Sequence, residues 1–317
     1  MAATLTGEYA VLTTGCGLVD RSERGKLALT GADAKEFLNG QVTNDVLALE
    51  PGKGCYAAFL THKGKMLGDV RVLDAGGELL LDTERVALQA LFDMVRRFSV
   101  GYDVQLHKRT LERALLSLAG PRAREVVPGL PAEEHAHVAT SVGGAAVRAI
   151  ATFEGVDVLC AAEDADAVRA ALVEAGAVAV SEEAAEVVRV ESGRPRYGVD
   201  MDDGTIPEEA ALNARAVSFT KGCYVGQETV ARLHWKGKPN RRLRGLRLTA
   251  PAARGEELRL GEKVVGRVGS AVTSPVLGPI ALAIVRREAS VGDVLAVGAG
   301  AATAEVVELP FAPEPAA

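Results

Sequence analysis

The chain has 317 residues, 48% of them hydrophobic and 25% charged, proportions of an ordinary globular protein with room for two or three domains. A formal net charge of −6 argues against a protein that binds nucleic acid through its overall field. No apolar run approaches the roughly eighteen residues of a membrane span, and residues 1–11 carry Glu8 as their only charge, so neither a membrane helix nor a secretory or transit leader is expected.

The four cysteines, Cys16, Cys55, Cys160 and Cys223, lie far apart with no Cys-x-x-Cys pair. They predict no disulfide framework and no zinc or iron–sulfur ligand set, and a reducing cytoplasm is the simplest compartment. His135 and His137 sit in a charged stretch read as an exposed loop, so no metal site is expected there.

In chain order, Gly25–Thr30 alternates as a strand, and Gly31-Ala32-Asp33 opens a helix through Leu38 with Asp33 as N-cap. The Asn44-Asp45 pair suits a turn or cap. Gly54–Leu60 and Met66–Leu73 read as strands joined by a tight turn at His62–Lys65. Glu78–Asp82 is a third strand, and Glu84–Arg97 a helix with Val86, Leu88, Leu91, Met94 and Val95 as its apolar positions. A second set follows: strands at 113–119, 145–151 and 155–161, then a helix over 165–175 ending at Gly176. Asp157 and Glu182-Glu183 are expected on the solvated surface. From Leu243 onward short strands alternate with Gly and Pro (243–248, 257–260, 263–268, 278–285, 294–297, 304–308), the pattern of a β-barrel, followed by a loose tail over 310–317. The fold class is therefore α+β: two strand-and-helix lobes within residues 1–242 and a C-terminal β-barrel over 243–317. There is no Gly-x-Gly-x-x-Gly and no P-loop, so nucleotide cofactors are not indicated.

The stretch with the most chemistry is Lys221-Gly222-Cys223-Tyr224-Val225-Gly226-Gln227-Glu228. Gln227–Leu233 reads as the first turns of a helix, which sets Cys223 just before a helix N-terminus, where the dipole favours a thiolate. Lys221 adds a cation, and Gly222 and Gly226 leave room for close approach. The plainer alternative is a structural thiol in a tight loop. After it the chain turns basic, with Arg232, His234, Trp235, Lys236, Lys238, Arg241, Arg242, Arg244 and Arg247. These cations suit an anionic ligand such as a folate glutamate tail, a nucleic acid stacking on Trp235, or simply a solvated face.

The segment KGCYVGQE, with Val-Ala-Arg and the basic run behind it, resembles the signature of the YgfZ family, folate-binding proteins related in fold to the T-protein (aminomethyltransferase) of the glycine cleavage system. Phe37–Val46 resembles the FLxGQxTxDV segment shared by both groups, and Gly64–Val70 the hairpin after it. T-proteins carry two adjacent aspartates at that hairpin, one of which works on the folate; here the pair is Gly68-Asp69, a departure that counts against aminomethyl transfer. Thr205–Glu209 resembles the segment preceding the signature, in which the recurring glutamate falls on Glu209, and the Gly278–Ala283 element resembles the T-protein barrel. The resemblance implies that the two lobes of residues 1–242 are intertwined, a tetrahydrofolate or other reduced folate as cofactor, and a role in iron–sulfur cluster assembly or repair, with cluster enzymes or assembly proteins as partners. In that reading Cys223 and Lys221 are the reactive pair, and folate contacts come from Glu209, Asn44, Asp45, Asp69, Tyr224, Gln227, Glu228 and Arg232. A carboxylate such as Glu209 is what a pterin's in-plane N–H donors call for, and a helix-start glutamate beside Pro207 is its plainer role. The alternatives are a folate-dependent aminomethyl or one-carbon transferase, and an RNA-binding module using residues 232–247.

Overall fold

The computed structural model describes residues 4–311. Its first lobe is a five-stranded antiparallel sheet in the order Gly54–Leu60, Met66–Asp74, Leu79–Thr83, Gly25–Thr30, Gln105–Lys108. The Met66–Asp74 strand, second in that order, is buried on both faces apart from Leu67, and its charged residues Asp69, Arg71 and Asp74 are buried with it. One face packs on the helices Ala34–Gln41 and Leu88–Phe98 through Phe37, Leu38, Leu91 and Val95.

The second lobe is a six-stranded sheet in the order Val178–Ala179, Gly17–Asp20, Arg113–Ala119, Gly155–Ala161, Ala145–Ala151, His137–Val142. It is antiparallel except where Gly17 and Leu18 pair in parallel with Val178 and Ala179. The helix Ala165–Glu174 covers one face with Val168 and Leu172. On the other face the two sheets meet in a small apolar patch of Ala28, Leu73, Leu80 and Ile150.

The chain interleaves the lobes. It begins with the helix Leu5–Thr14 and a strand of the second sheet, builds the first lobe, and then completes the second. The helix Glu182–Glu191 packs on Leu5–Thr14 through Leu12, Ala184 and Ala185, and residues 197–230 return to the first lobe's core, contributing Tyr197, Leu212, Tyr224 and Val230. A six-stranded barrel follows: Arg241–Leu248, Thr303–Val307, Val294–Val297, Glu257–Leu260, Lys263–Arg267 and Gly278–Arg286, closed by the pairing of 241–247 with 280–286. Ala271–Ser274 adds an outer strand on Gly278–Ala281.

The mixed fold with two lobes and a barrel is the expected one, and its differences in detail have physical causes. The helices Leu5–Thr14 and Glu182–Glu191 and the strands 105–108, 137–142 and 271–274 were not foreseen. The run at 182–183 is acidic because it forms the first turn of a helix capped by Ser181, whose hydroxyl accepts from Ala184 N–H. Asp33 is the N-cap residue of Ala34–Gln41 as expected, but its carboxylate makes no capping hydrogen bond and accepts instead from the Asp103 amide. His137 and Asp157 are buried in the second sheet, not exposed. Of the tail, Phe311 donates its backbone N–H to the Glu191 carbonyl, and 312–317 lie outside the described residues.

Candidate functional site

Between the two sheets lies a cavity of about 180 Å³ whose lining comes from both lobes and from the connection at 189–196. Strand alternation decides which side chains reach it. On Met66–Asp74, Gly68 faces the first lobe's core, where an added Cβ would run into the Phe59 ring and stand 2.7 Å from Ala87. Asp69 faces the opposite way, into the cavity. The cavity therefore keeps its carboxylate, and the glycine at 68 takes nothing from it.

Asp69 is buried and accepts a 2.6 Å hydrogen bond from the Tyr56 hydroxyl. Burial raises its carboxyl to about 6, against the opposing pull of that hydrogen bond and of Arg24. Burial and the neighbouring Asp69 together push Tyr56 well above the usual phenol range, so its proton stays on. The Arg215 guanidinium lies over the Tyr56 ring, 5.4 Å from its centroid, with no ion-pair or hydrogen-bond partner for its head among the described residues. His135 occupies a left-handed backbone conformation (φ 71°) that non-glycine residues rarely adopt. Its ring sits 6.5 Å from Tyr56, its Nδ1 is buried without a partner, and burial, then Arg71, pushes it down to about 4, so the imidazole is neutral near pH 7.

The rest of the lining is a lattice of ion pairs. Arg71, on the same strand, reaches Asp82 of its own sheet and Asp157 of the other, each at 2.6 Å. Asp157 also accepts from Ser117 at 2.6 Å. Arg24 pairs with Asp82 at 2.8 Å and with Glu84. Arg194 pairs with Glu134 at 2.7 Å and lies 3.8 Å from the Phe153 centroid. Nearly every cation is matched, which leaves Arg215, the Asp69 carboxyl and His135 Nδ1 as groups able to engage a ligand. A carboxyl, a free guanidinium and an unpartnered imidazole nitrogen fit a reduced folate, which presents in-plane pterin donors and an anionic glutamate.

The signature segment stands elsewhere. Lys221 points inward and donates to the carbonyls of Asn39 (2.6 Å), Val42 (2.9 Å) and Asn44 (2.7 Å). Burial lowers its pKa to about 8, while three acceptors at one ammonium favour the charged form. Its donors are therefore committed to the backbone and do not serve the thiol, contrary to the expectation that it lends Cys223 a cation. The helix Gln227–Lys236 forms as expected, but its N-cap is Gly226, so Cys223 lies a short loop ahead of the helix end, exposed. Gly226 (φ 84°) is required because a Cβ there would meet Thr61 O at 2.6 Å and the Gly64 backbone at 3.1 Å, whereas Gly222 faces open space. Burial pushes the other thiols up, Cys16 to about 11 and Cys55 to about 12.

Glu209 is also not a cavity residue. It is buried at the joint with the barrel, where it accepts from Ile206 N–H (3.0 Å) and in bidentate fashion from Arg241 (3.0 and 2.7 Å). Asp45, Tyr224, Gln227, Glu228 and Arg232 do not line the cavity either. Tyr224 belongs to the first lobe's core, Asp45 accepts from the Ala48 amide, and Glu228 and Arg232 are exposed. Asn44 acts one step back: its amide donates to the carbonyls of Tyr56 (2.8 Å) and Arg215 (3.2 Å), tying two cavity residues together. The motif at 37–46 and the signature thus hold each other through the Lys221 bonds and Val225 N on Gly40 O (3.2 Å), and Thr43 Oγ1 ties the motif to Ala216 O ahead of the signature (2.5 Å). Of the expected residues only Asp69 lines the cavity; Tyr56, Arg215, His135 and Arg71 were missed. A lone arginine in the apolar run Ala-Leu-Asn-Ala-Arg-Ala-Val was the available signal for Arg215.

Among the described residues no group of His, Cys, Asp and Glu could hold a metal ion, and no helix is long and apolar enough to cross a membrane. Residues 1–221 match the family model described as the GCVT N-terminal domain, and residues 241–312 the glycine cleavage T-protein C-terminal barrel domain. An aminomethyltransferase of Rubrobacter xylanophilus is 30% identical over 322 residues, covering 98% of this chain and 86% of that protein. A putative chloroplastic transferase of Arabidopsis thaliana is 28% identical, covering 90% of this chain and 68% of that protein. The crystal structure of glycine cleavage system aminomethyltransferase T from Bartonella henselae superimposes with a TM-score of 0.89 at 24% identity, over 99% of this chain and 91% of that one.

Proposed function

The chain belongs to the glycine cleavage T-protein (aminomethyltransferase) family, and from that premise we propose that it is a reduced-folate-binding protein of the YgfZ type that supports iron–sulfur cluster assembly or repair. The observation that carries the folate part is Asp69, a buried carboxyl poised near 6 and facing a cavity that both lobes build. Asp69 would accept from the pterin's N–H donors and Arg215 would take an anionic group, with Tyr56 holding Asp69 in place at 2.6 Å. A bound reduced folate supplies one-carbon carrier chemistry. His135, neutral and unpartnered at Nδ1, offers one further hydrogen bond. The part that points away from plain transferase chemistry is the KGCYVGQE segment, whose exposed thiol lies outside the cavity and is open to a protein partner such as a cluster enzyme or assembly factor. Four free cysteines support a reducing compartment such as the cytoplasm.

A second reading, aminomethyl or one-carbon transfer, is favoured by Asp69 itself. A buried carboxyl near 6 facing the cavity suits proton transfer at neutral pH, and the glycine at 68 removes no cavity group. Complementation separates the two. Cells lacking the protein are given the wild type, Asp69→Asn or Cys223→Ser, and a cluster-dependent enzyme is assayed. The proposal expects only the wild type to restore activity. Restoration by Cys223→Ser removes the thiol from the account, and restoration by Asp69→Asn removes the folate. Folate-dependent release of ammonia from an amine donor by the purified protein would establish the second reading instead.

A further inference from the structure

A second cleft, sharing no lining residue with the central cavity, opens between the helix Gln227–Lys236 and the first barrel strand, with a volume of about 570 Å³. Phe219 and His234 stack at 3.9 Å on its wall, and Trp235 packs edge-on against both rings, 4.7 Å from His234 and 6.0 Å from Phe219. Trp235 is the only tryptophan of the chain and is 69% exposed. The three rings form one aromatic cluster, and its Trp235 leaves most of its surface to solvent.

The charges around it are as unusual. Residues 232–247 hold seven lysines and arginines and no aspartate or glutamate, in a chain whose net charge is −6. Arg241 is committed to Glu209, and Arg244 to Glu308 at 3.3 Å. Arg232, Lys236, Lys238, Arg242 and Arg247 have no carboxylate partner among the described residues, whereas the arginines of the central cavity are nearly all paired. On the helix, Arg232, Trp235 and Lys236 stand three and four positions apart and so share a face. Asn213 Oδ1, on the cleft wall, is buried without a donor. The one carboxylate lining the cleft, Glu208, is engaged by the Asn213 side-chain amide.

We propose that this aromatic and basic surface binds single-stranded RNA, with a base stacked on the Trp235–His234–Phe219 platform and phosphates held by Arg232, Lys236 and Arg242. A stacking ring interleaved with free cations is the arrangement a single strand needs, the ring taking a base and the cations the phosphates on either side. The site stands independently of the folate reading.

Because Trp235 is the sole tryptophan, its intrinsic fluorescence reports the site directly in the full-length protein. The test titrates a twelve-nucleotide oligouridylate and a poly-glutamate peptide of equal length into the protein. The RNA should quench Trp235 and lose roughly 20- to 130-fold in affinity between 50 and 200 mM salt, from the counterions released as three to five phosphates are neutralised, a log–log slope of about −0.7 for each. Followed by the anisotropy of labelled RNA, Trp235→Ala should bind about fivefold or more weakly, and a Lys236→Glu/Arg242→Glu variant should lose binding, both with unchanged melting temperatures. Absence of quenching, or unaltered RNA affinity in Trp235→Ala, overturns the proposal. So does poly-glutamate binding as tightly as RNA, which would mark a surface for acidic protein.

Discussion

Replacing Arg71 by methionine should be the most damaging single change at the junction of the two lobes. Its guanidinium is 9% exposed and bridges two carboxylates, one from each sheet, at 2.6 Å. Without it Asp82 keeps Arg24 at 2.8 Å, but Asp157 keeps only the Ser117 hydroxyl, so one buried negative charge loses its counter-ion. Removing one partner of a buried pair costs about 3–5 kcal/mol. At this chain length roughly 2 °C of melting temperature accompanies each kcal/mol, so Arg71→Met should melt about 6–10 °C lower. The companion variant Arg71→Met/Asp157→Asn removes the stranded charge and should recover a large part of that loss, which a double-mutant cycle in thermal or urea melts would read. A single-variant drop below about 1 °C, or no recovery in the double, would refute the view that this pair is buried and joins the sheets.

Glu209→Ala should lower stability by about 2–3 kcal/mol, from the lost Arg241 pair and the lost Ile206 cap, while leaving folate affinity within twofold. Lys221→Met leaves three buried carbonyls without their donor and should cost about 2–3 kcal/mol; the rate at which Cys223 alkylates should not change, because the ammonium does not face the thiol. Asp69 has a folded pKa raised to about 6 from 3.8, so between those values the folded state holds the extra proton and stability falls as pH rises through that window. Asp69→Asn should accordingly gain on the wild type by up to roughly 3 kcal/mol at pH 8 and lose that advantage by pH 4, in paired melts across the range.

The sequence speaks plainly where a signal is local. The barrel strands are punctuated by Gly and Pro, the helix after Gly226 carries its own start signal, and the strand from Met66 follows a tight turn at His62–Lys65, so all three are legible. The interleaving of the lobes rests on the family resemblance and on no local signal, because it depends on a four-residue strand, Gly17–Asp20, pairing with Val178–Ala179 more than 150 positions later. The candidate site divides the same way. Asp69 belongs to a motif and is found. Tyr56, Arg215 and His135 come from separate elements and are brought together by sheet packing, which no spacing reports. Lys221 and Glu209 mislead for one reason: a charged residue in a polar motif reads as chemistry, yet each spends its charge on the fold, Lys221 on three carbonyls and Glu209 on Arg241.

The most direct test of the folate cavity is calorimetric titration of tetrahydrofolate into the wild type, Asp69→Asn and Glu209→Ala. The cavity account predicts saturable one-to-one binding by the wild type, a loss of tenfold or more in Asp69→Asn, and wild-type affinity in Glu209→Ala. Full binding by Asp69→Asn together with loss in Glu209→Ala would contradict it and move the ligand to the barrel joint, and no binding by the wild type at millimolar folate would remove the ligand altogether.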